Sequence, residues 1–122
     1  MQKEIVTTKR APAVPGIPYS PAVKIGQFVF ISGQVGDDPK SDVKTQTRQV
    51  LEKMKALLEE AGTSLSNVVK CTVFLANMDE FASMNEVYRE YFGDNPPARA
   101  CIEVSRLFND LKVEIESIAY IP

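Results

Sequence analysis

Two stretches of this chain repeat their apolar residues at helical spacing, and strand-like runs lie between and beyond them; that order leaves few folds open. From Asp42 to Ala61 the apolar residues are Val43, Val50, Leu51, Met54, Leu57, Leu58 and Ala61, with polar residues on the other face. Ser41 or Asp42 can cap the start, and Gly62 suits the position past the end. From Asp79 to Phe92 the row is Phe81, Met84, Val87, Tyr88, Tyr91 and Phe92. Asn77 with Glu80 reads as a capping box, and Gly93 as a stop. Strands are expected at the edge segment 2–8, at Val23–Ser32 (or a hairpin turning at Gly26), at Asn67–Leu75, at Arg99–Ser105 and at Lys112–Ile121. In Asn67–Leu75, the residues Val69, Cys71, Val73 and Leu75 should share one face. Residues 11–21 hold Pro12, Pro15, Gly16, Pro18 and Pro21, which forbids regular structure; Gly33–Ser41 reads as a turn region.

Each strand–helix–strand crossover should be right-handed, which places both helices on the same face of one sheet. The expectation is an α+β two-layer sandwich with a mixed sheet, a single domain over residues 1–122. No segment remains to cover the other sheet face. Phe74 alternates there with Thr72 and Lys70, so that face is mixed, and it is expected to pack against other copies.

The chain of 122 residues contains no histidine, which removes Ser-His-Asp and Cys-His catalysis. With only two cysteines, Cys71 and Cys101, it lacks a usual zinc ligand set, and no metal or organic cofactor is expected. Both cysteines lie in apolar strand-like runs and read as reduced, packed thiols, although a disulfide stays open. A net charge of −2 with no basic run argues against a nucleic-acid partner. Met1–Val6 has no signal-like apolar core, and Phe28–Ile31 is far too short to span a bilayer. A cytoplasmic protein without a membrane partner is expected.

Several residues could carry chemistry. Asn85 lies four after Phe81 and three before Tyr88, beside an apolar row, so its amide must find partners, either a loop backbone or a ligand. Arg99 opens an apolar strand; its planar fork suits a carboxylate, but an ordinary ion pair would read the same. Glu114 and Glu116 alternate with Val113 and Ile115 and share one strand face, either as exposed carboxylates or in a drier cleft able to handle a water proton. Tyr19, Ser32 and Gly33 sit at loop or strand ends, where turn and packing roles also fit. Cys101 has no partner base and makes a poor nucleophile.

Taken in order, the runs Ile17-Pro18-Tyr19-Ser20-Pro21-Ala22, Phe30-Ile31-Ser32-Gly33-Gln34, Gln46-Thr47-Arg48-Gln49, Val68–Leu75, Phe81–Asn85, Pro97–Val104 and Val113–Ala119 resemble RidA/YjgF proteins, the 2-iminobutanoate/2-iminopropanoate deaminases. The resemblance runs from about residue 2 to residue 121. It implies a fold like trimeric chorismate mutase, a homotrimer with clefts between subunits, and hydrolysis of enamine or imine intermediates to 2-oxo acids and ammonia. It implies that Arg99 binds the substrate carboxylate and Glu114 orients the attacking water. Tyr19, Ser32, Gly33, Asn85 and Cys101 would line the cleft, Cys101 through its backbone and shape. The chain departs from the family in a short Gly36–Asp42 segment, in Phe108 where proline is common, in Gly16 displaced by Ile17, and in Pro21 in place of a frequent glutamine. Two other readings stand beside the deaminase: a non-catalytic module binding 2-oxo acids in the same cleft, and an endoribonuclease, disfavoured by the acidity and the missing histidine.

Overall fold

The two helical patterns fold as α1, Val43–Ala61, and α2, Phe81–Phe92, in a computed structural model that describes residues 1–122. Asp42 is extended and its carboxylate accepts from the Thr45 N–H at 2.7 Å, so it, and not Ser41, starts α1. Gly62 ends α1 at φ 96°, a left-handed turn that a side chain would strain. The strands are β1 (Glu4–Val6), β2 (Ala22–Ile25), β3 (Phe28–Val35), β4 (Val68–Leu75), β5 (Ala98–Glu103) and β6 (Val113–Tyr120). They form one sheet in the order β1-β2-β3-β6-β4-β5. Only β4 and β5 are parallel, so the sheet is mixed.

The chain moves from β3 through α1 to β4, then through α2 to β5, always in the same direction across the sheet. Crossovers of one hand therefore bring both helices to one face. They lie side by side there, joined by Lys44–Glu86 and Arg48–Glu90 ion pairs at 2.6 Å and by the Tyr91 hydroxyl donating to Glu52 at 2.7 Å. Leu51, Met54, Leu57 and Leu58 of α1 and Met84 and Val87 of α2 close over Val29, Cys71, Val73, Leu75, Val113 and Ile115 of the sheet, all essentially without solvent contact. The α+β two-layer sandwich is as expected.

The opposite face carries no second layer. Phe28, Phe30, Val69, Ile102 and Tyr120 stand exposed on it or at its margins, with Phe28 53% and Phe30 43% accessible. No helix is long and apolar enough to cross a membrane.

Several local expectations shift for identifiable reasons. Val23–Ser32 is a hairpin: Ile25 pairs with Phe28, and Gly26 turns at φ 56°. Its second strand does not stop at Ser32. It runs to Val35 through a bulge, because Ile31 pairs with Ser117 and Gln34 with Ile115, leaving one extra residue on β3. A second irregularity between Val68 and Lys70 breaks the alternation of β4, so Val68 is buried and Val69 faces out, unlike Cys71, Val73 and Leu75. The Asn77 side chain accepts from the Asp79 N–H at 2.9 Å and caps a 3₁₀ turn, Met78–Glu80; no Glu80 side-chain bond completes a capping box, and α2 begins at Phe81. β5 ends at Glu103, short of Ser105. Cys71 and Cys101 are both free thiols.

The segment 36–42 is ordered by a residue that periodicity does not single out. Gln46 on α1 is fully buried. Its amide nitrogen donates to the carbonyls of Asp38 (3.1 Å) and Ser41 (3.0 Å), and its oxygen accepts from the Lys112 N–H (2.8 Å) at the start of β6. A Cβ on Gly36 would lie 2.9 Å from Gln46 Cγ, so this contact needs a glycine. Replacing Gln46 with Leu keeps the volume but orphans the Lys112 N–H, while the Asp38 carbonyl keeps the Ser41 N–H and the Ser41 carbonyl keeps Lys112 Nζ. That substitution is expected to cost ~1–3 kcal/mol in urea unfolding, because an unsatisfied buried donor carries its desolvation penalty in full.

Candidate functional site

Arg99 belongs to β5, the strand at one edge of the sheet, and pairs in register with Cys71 of β4. Paired residues project to the same side. Cys71 is buried under the helices, so Arg99 also points toward α2. Its guanidinium lies 4.8 Å from the ring centroid of Tyr88 and 5.5 Å from that of Phe81, within cation–π range. Its Nη1 donates to the Asn85 amide oxygen at 2.8 Å. The Asn85 oxygen thus goes to a cation and not to a loop backbone. Arg99 makes no ion pair; the four in the chain lie elsewhere. Beside it opens a cleft of about 280 Å³, lined by Asn85, Tyr88, Phe92, Pro96 and Pro97 among others. Among the ionisable groups lining that cleft, none is acidic.

Cys101 follows on the same side of β5, paired with Val73. Burial pushes its thiol pKa up, and the nearby Arg99 charge opposes this as the lesser effect. A thiol held in its neutral form is a poor nucleophile.

Glu114 lies on β6 and pairs with Phe74 and Val35. Its neighbours in sequence, Val113 and Ile115, are buried toward the helices, so Glu114 and Glu116 project from the uncovered face. Glu114 is half-buried. Burial raises its carboxyl pKa above the ordinary value, and the Glu116 charge adds to the shift. The carboxylate lies directly over Gly33: a Cβ there would stand 2.7 Å from Glu114 Cδ and 3.0 Å from Cγ. Gly33 is thus a space requirement of Glu114, set up by the β3 bulge.

Ser32, in the same bulge, ties the proline-rich loop to the sheet. Its hydroxyl donates to the Ser20 carbonyl at 2.5 Å and its N–H to the Pro21 carbonyl at 3.0 Å. One residue earlier, the exposed Tyr19 accepts from the Val14 N–H at 3.1 Å and reaches the Pro12 carbonyl at 3.5 Å. Segment 11–21 is therefore ordered by its own bonds despite lacking regular structure.

One copy of the chain assembles two groups, not one site. Arg99, Asn85 and Cys101 sit on the helix side of the sheet; Glu114 and Gly33 meet on the open side, with Ser32 in the bulge beside them. β4 separates β5 from β6. Within a single copy, Arg99 and Glu114 do not converge: register sends Arg99 with the buried Cys71 and Glu114 with Phe74 on the other face. A cavity containing both requires a second copy. Sequence reading did not assign Tyr88 and Phe81 to the site. Residues 81, 85 and 88 share one helical stripe, and that spacing was the available signal.

Comparison with known proteins gives a consistent identity. The family model described as Endoribonuclease L-PSP matches residues 8–121. A RutC family protein of Pyrococcus horikoshii is 56% identical, covering 97% of this chain and 98% of its own. The solved structure of RidA from the Antarctic bacterium Psychrobacter superposes with a TM-score of 0.90 at 45% identity, covering 97% of this chain and 99% of that one. TdcF of Escherichia coli, whose name places it among the reactive intermediate deaminases, is 42% identical over 96% of both chains. Its structure with bound serine superposes with a TM-score of 0.90, covering 98% of this chain and 99% of that one. The chain belongs to the RidA/YjgF family.

Proposed function

We propose that this protein hydrolyses small 2-imino acids, of the size of 2-iminobutanoate and 2-iminopropanoate, to 2-oxo acids and ammonia, in clefts formed between copies of a homotrimer. The observation that carries the reading is Arg99, a seated guanidinium without an acidic partner beside an open cleft. Such a group is ready for a carboxylate, with two parallel charge-assisted bonds of roughly 1.5–3 kcal/mol each. The serine bound in the TdcF structure supports the ligand class, since an amino acid carries the same carboxylate and α-nitrogen as a 2-imino acid.

The chemistry follows from the residues. Arg99 anchors the substrate carboxylate, which sets the adjacent C=N carbon at a fixed place. A protonated imine carbon is already electrophilic. Glu114 of a neighbouring copy takes a proton as water adds, giving a carbinolamine, and returns it to the nitrogen; as the C–N bond breaks and the carbonyl forms, the carboxylate takes the hydroxyl proton and passes it to the departing ammonia, which leaves as ammonium. The raised Glu114 pKa suits this exchange, because the group stays basic enough to accept and acidic enough to release. Cys101 and Asn85 shape the cleft beside Arg99, while Tyr19, Ser32 and Gly33 shape the wall that holds Glu114. The uncovered apolar face, with Phe28 and Phe30 exposed, supplies the surface on which copies would meet. Phosphodiester cleavage, suggested by the family model's description, fits less well: the chain has a net charge of −2 and no histidine to serve as a neutral-pH base.

Three outcomes are expected. Arg99→Ala should lower kcat/KM for freshly generated 2-iminobutanoate by about 10²–10⁴-fold, the equivalent of two charge-assisted bonds, with unchanged circular dichroism and native mass. An unchanged rate removes Arg99 from the reaction. If the rate never exceeds the buffer blank while 2-oxobutanoate still binds, the protein is a sensor.

The second concerns pH. Glu114 has a folded-state pKa above its unfolded one, so folding favours its protonated form; ionisation costs stability as pH rises through the folded value. Glu114→Gln should therefore melt above the wild type near pH 7, and the difference should close toward about pH 4, where the unfolded carboxyl itself protonates. Hydrolysis should be lost in this variant, and the wild-type rate should fall as acid protonates Glu114.

The third tests assembly. Phe30→Glu puts a charge on the open face and should give a monomer by native mass spectrometry, inactive although Arg99 and Glu114 are intact.

A further inference from the structure

The functional reading gives Arg99 a ligand but does not say what holds it while the cleft is empty. An arginine side chain carries about 2 kcal/mol of rotamer entropy, and a guanidinium with no acidic partner would ordinarily sweep through solvent. Here three groups of α2, at positions 81, 85 and 88, converge on it. Their spacing of four and three residues puts them on one stripe of the helix. Tyr88 is buried and its ring is backed by Phe92, with centroids 4.6 Å apart, so it is a fixed platform. Phe81 is 38% exposed and contributes little to the core. The Tyr88 hydroxyl is buried without a hydrogen-bond partner, and the guanidinium lies over the ring.

We infer that Phe81 and Tyr88 are positioning residues: their rings bracket the Arg99 guanidinium and preset it for a planar carboxylate. Aromatic rings occupy guanidinium faces and leave its edge for hydrogen bonding. Asn85 takes one N–H of that edge. The remaining in-plane N–H groups accept an anion in only one orientation, coplanar with the guanidinium, and that plane orients the C=N group joined to the carboxylate. Lysine in place of Arg99 could neither lie flat between the rings nor offer an edge. This inference rests on Arg99 being the carboxylate anchor.

The test uses the full-length native protein and 2-oxobutanoate as a stable probe, with binding by calorimetry beside imine hydrolysis. Phe81→Leu should weaken 2-oxobutanoate binding about fivefold and lower kcat with it, at unchanged melting temperature and native mass. Tyr88→Leu should weaken binding about thirtyfold, and Tyr88→Phe should rescue it to near the wild-type value, since the ring is kept. The Arg99 Nε–H resonance, shifted upfield by the rings in the wild type, should move downfield in Phe81→Leu. If Tyr88→Leu does not fold, Phe81→Leu and Tyr88→Phe still decide the matter. Wild-type binding and an unmoved Nε–H resonance in Phe81→Leu, with binding lost in Arg99→Ala, would overturn the bracket and leave the anchor standing. Unchanged binding in Arg99→Ala would overturn the anchor itself, and the bracket with it.

Discussion

The one-sided covering of the sheet constrains everything else in this molecule. A sheet whose two crossovers run in the same direction receives both helices on the same face. That face holds the packed core, with Leu51, Met54 and Leu57 closing over Val73 and Ile115. The second face keeps Phe28, Phe30 and Ile102 in water. Burying such side chains is worth roughly 1.5–3 kcal/mol each, so an uncovered row of them is a standing drive toward association. The fold of one copy is thus complete as a core and incomplete as a surface.

The candidate site inherits this asymmetry. The two groups that could act together are separated by the sheet itself, Arg99 under α2 and Glu114 on the bare face. Glu114 is held in a state that costs stability. Arg99 is fixed without a counter-charge, and Glu114 is half-buried beside Glu116 over a glycine that leaves it no slack. Functional sites commonly store unfavourable electrostatics in this way, offset by a well-packed remainder. Here the remainder includes the Gln46 staple, which fixes the segment leading from β3 to α1 and joins it to the start of β6 two residues before Glu114.

Much of this was legible in the sequence because it follows from periodicity. The helices 43–61 and 81–92 and the shared face of Glu114 and Glu116 come from counting by threes, fours and twos, and the bare second face from the hand of the crossovers. What periodicity missed were single inserted residues. The bulge at Ser32–Gly33 lengthens β3 and makes room for Glu114, and the irregularity after Val68 turns Val69 outward; one extra residue in a ladder leaves no compositional mark. Phe81 and Tyr88 sit in the apolar row of α2, and an aromatic residue on such a stripe looks the same whether it packs on leucine or on a guanidinium. The family resemblance named Arg99 and Glu114 together, but only the register shows that one copy keeps them apart.

That separation bears on how copies would meet. Under the proposed reading, the helix-side edge around Arg99 of one copy faces the open-face region around Glu114 of another. Such patches can meet reciprocally about a two-fold axis, which builds two clefts in a dimer, or head to tail in a heterologous contact, as the proposed trimer requires. Heterologous contacts either close into rings or run on as filaments. A closed ring gives every copy one neighbour on each side, so each Arg99 finds a Glu114 and no apolar face is left over. The proposed three-membered ring meets that requirement with as many clefts as chains, and in it catalysis would be a property of the assembly. The half-buried carboxylate of one copy and the bracketed guanidinium of the next then share a single substrate.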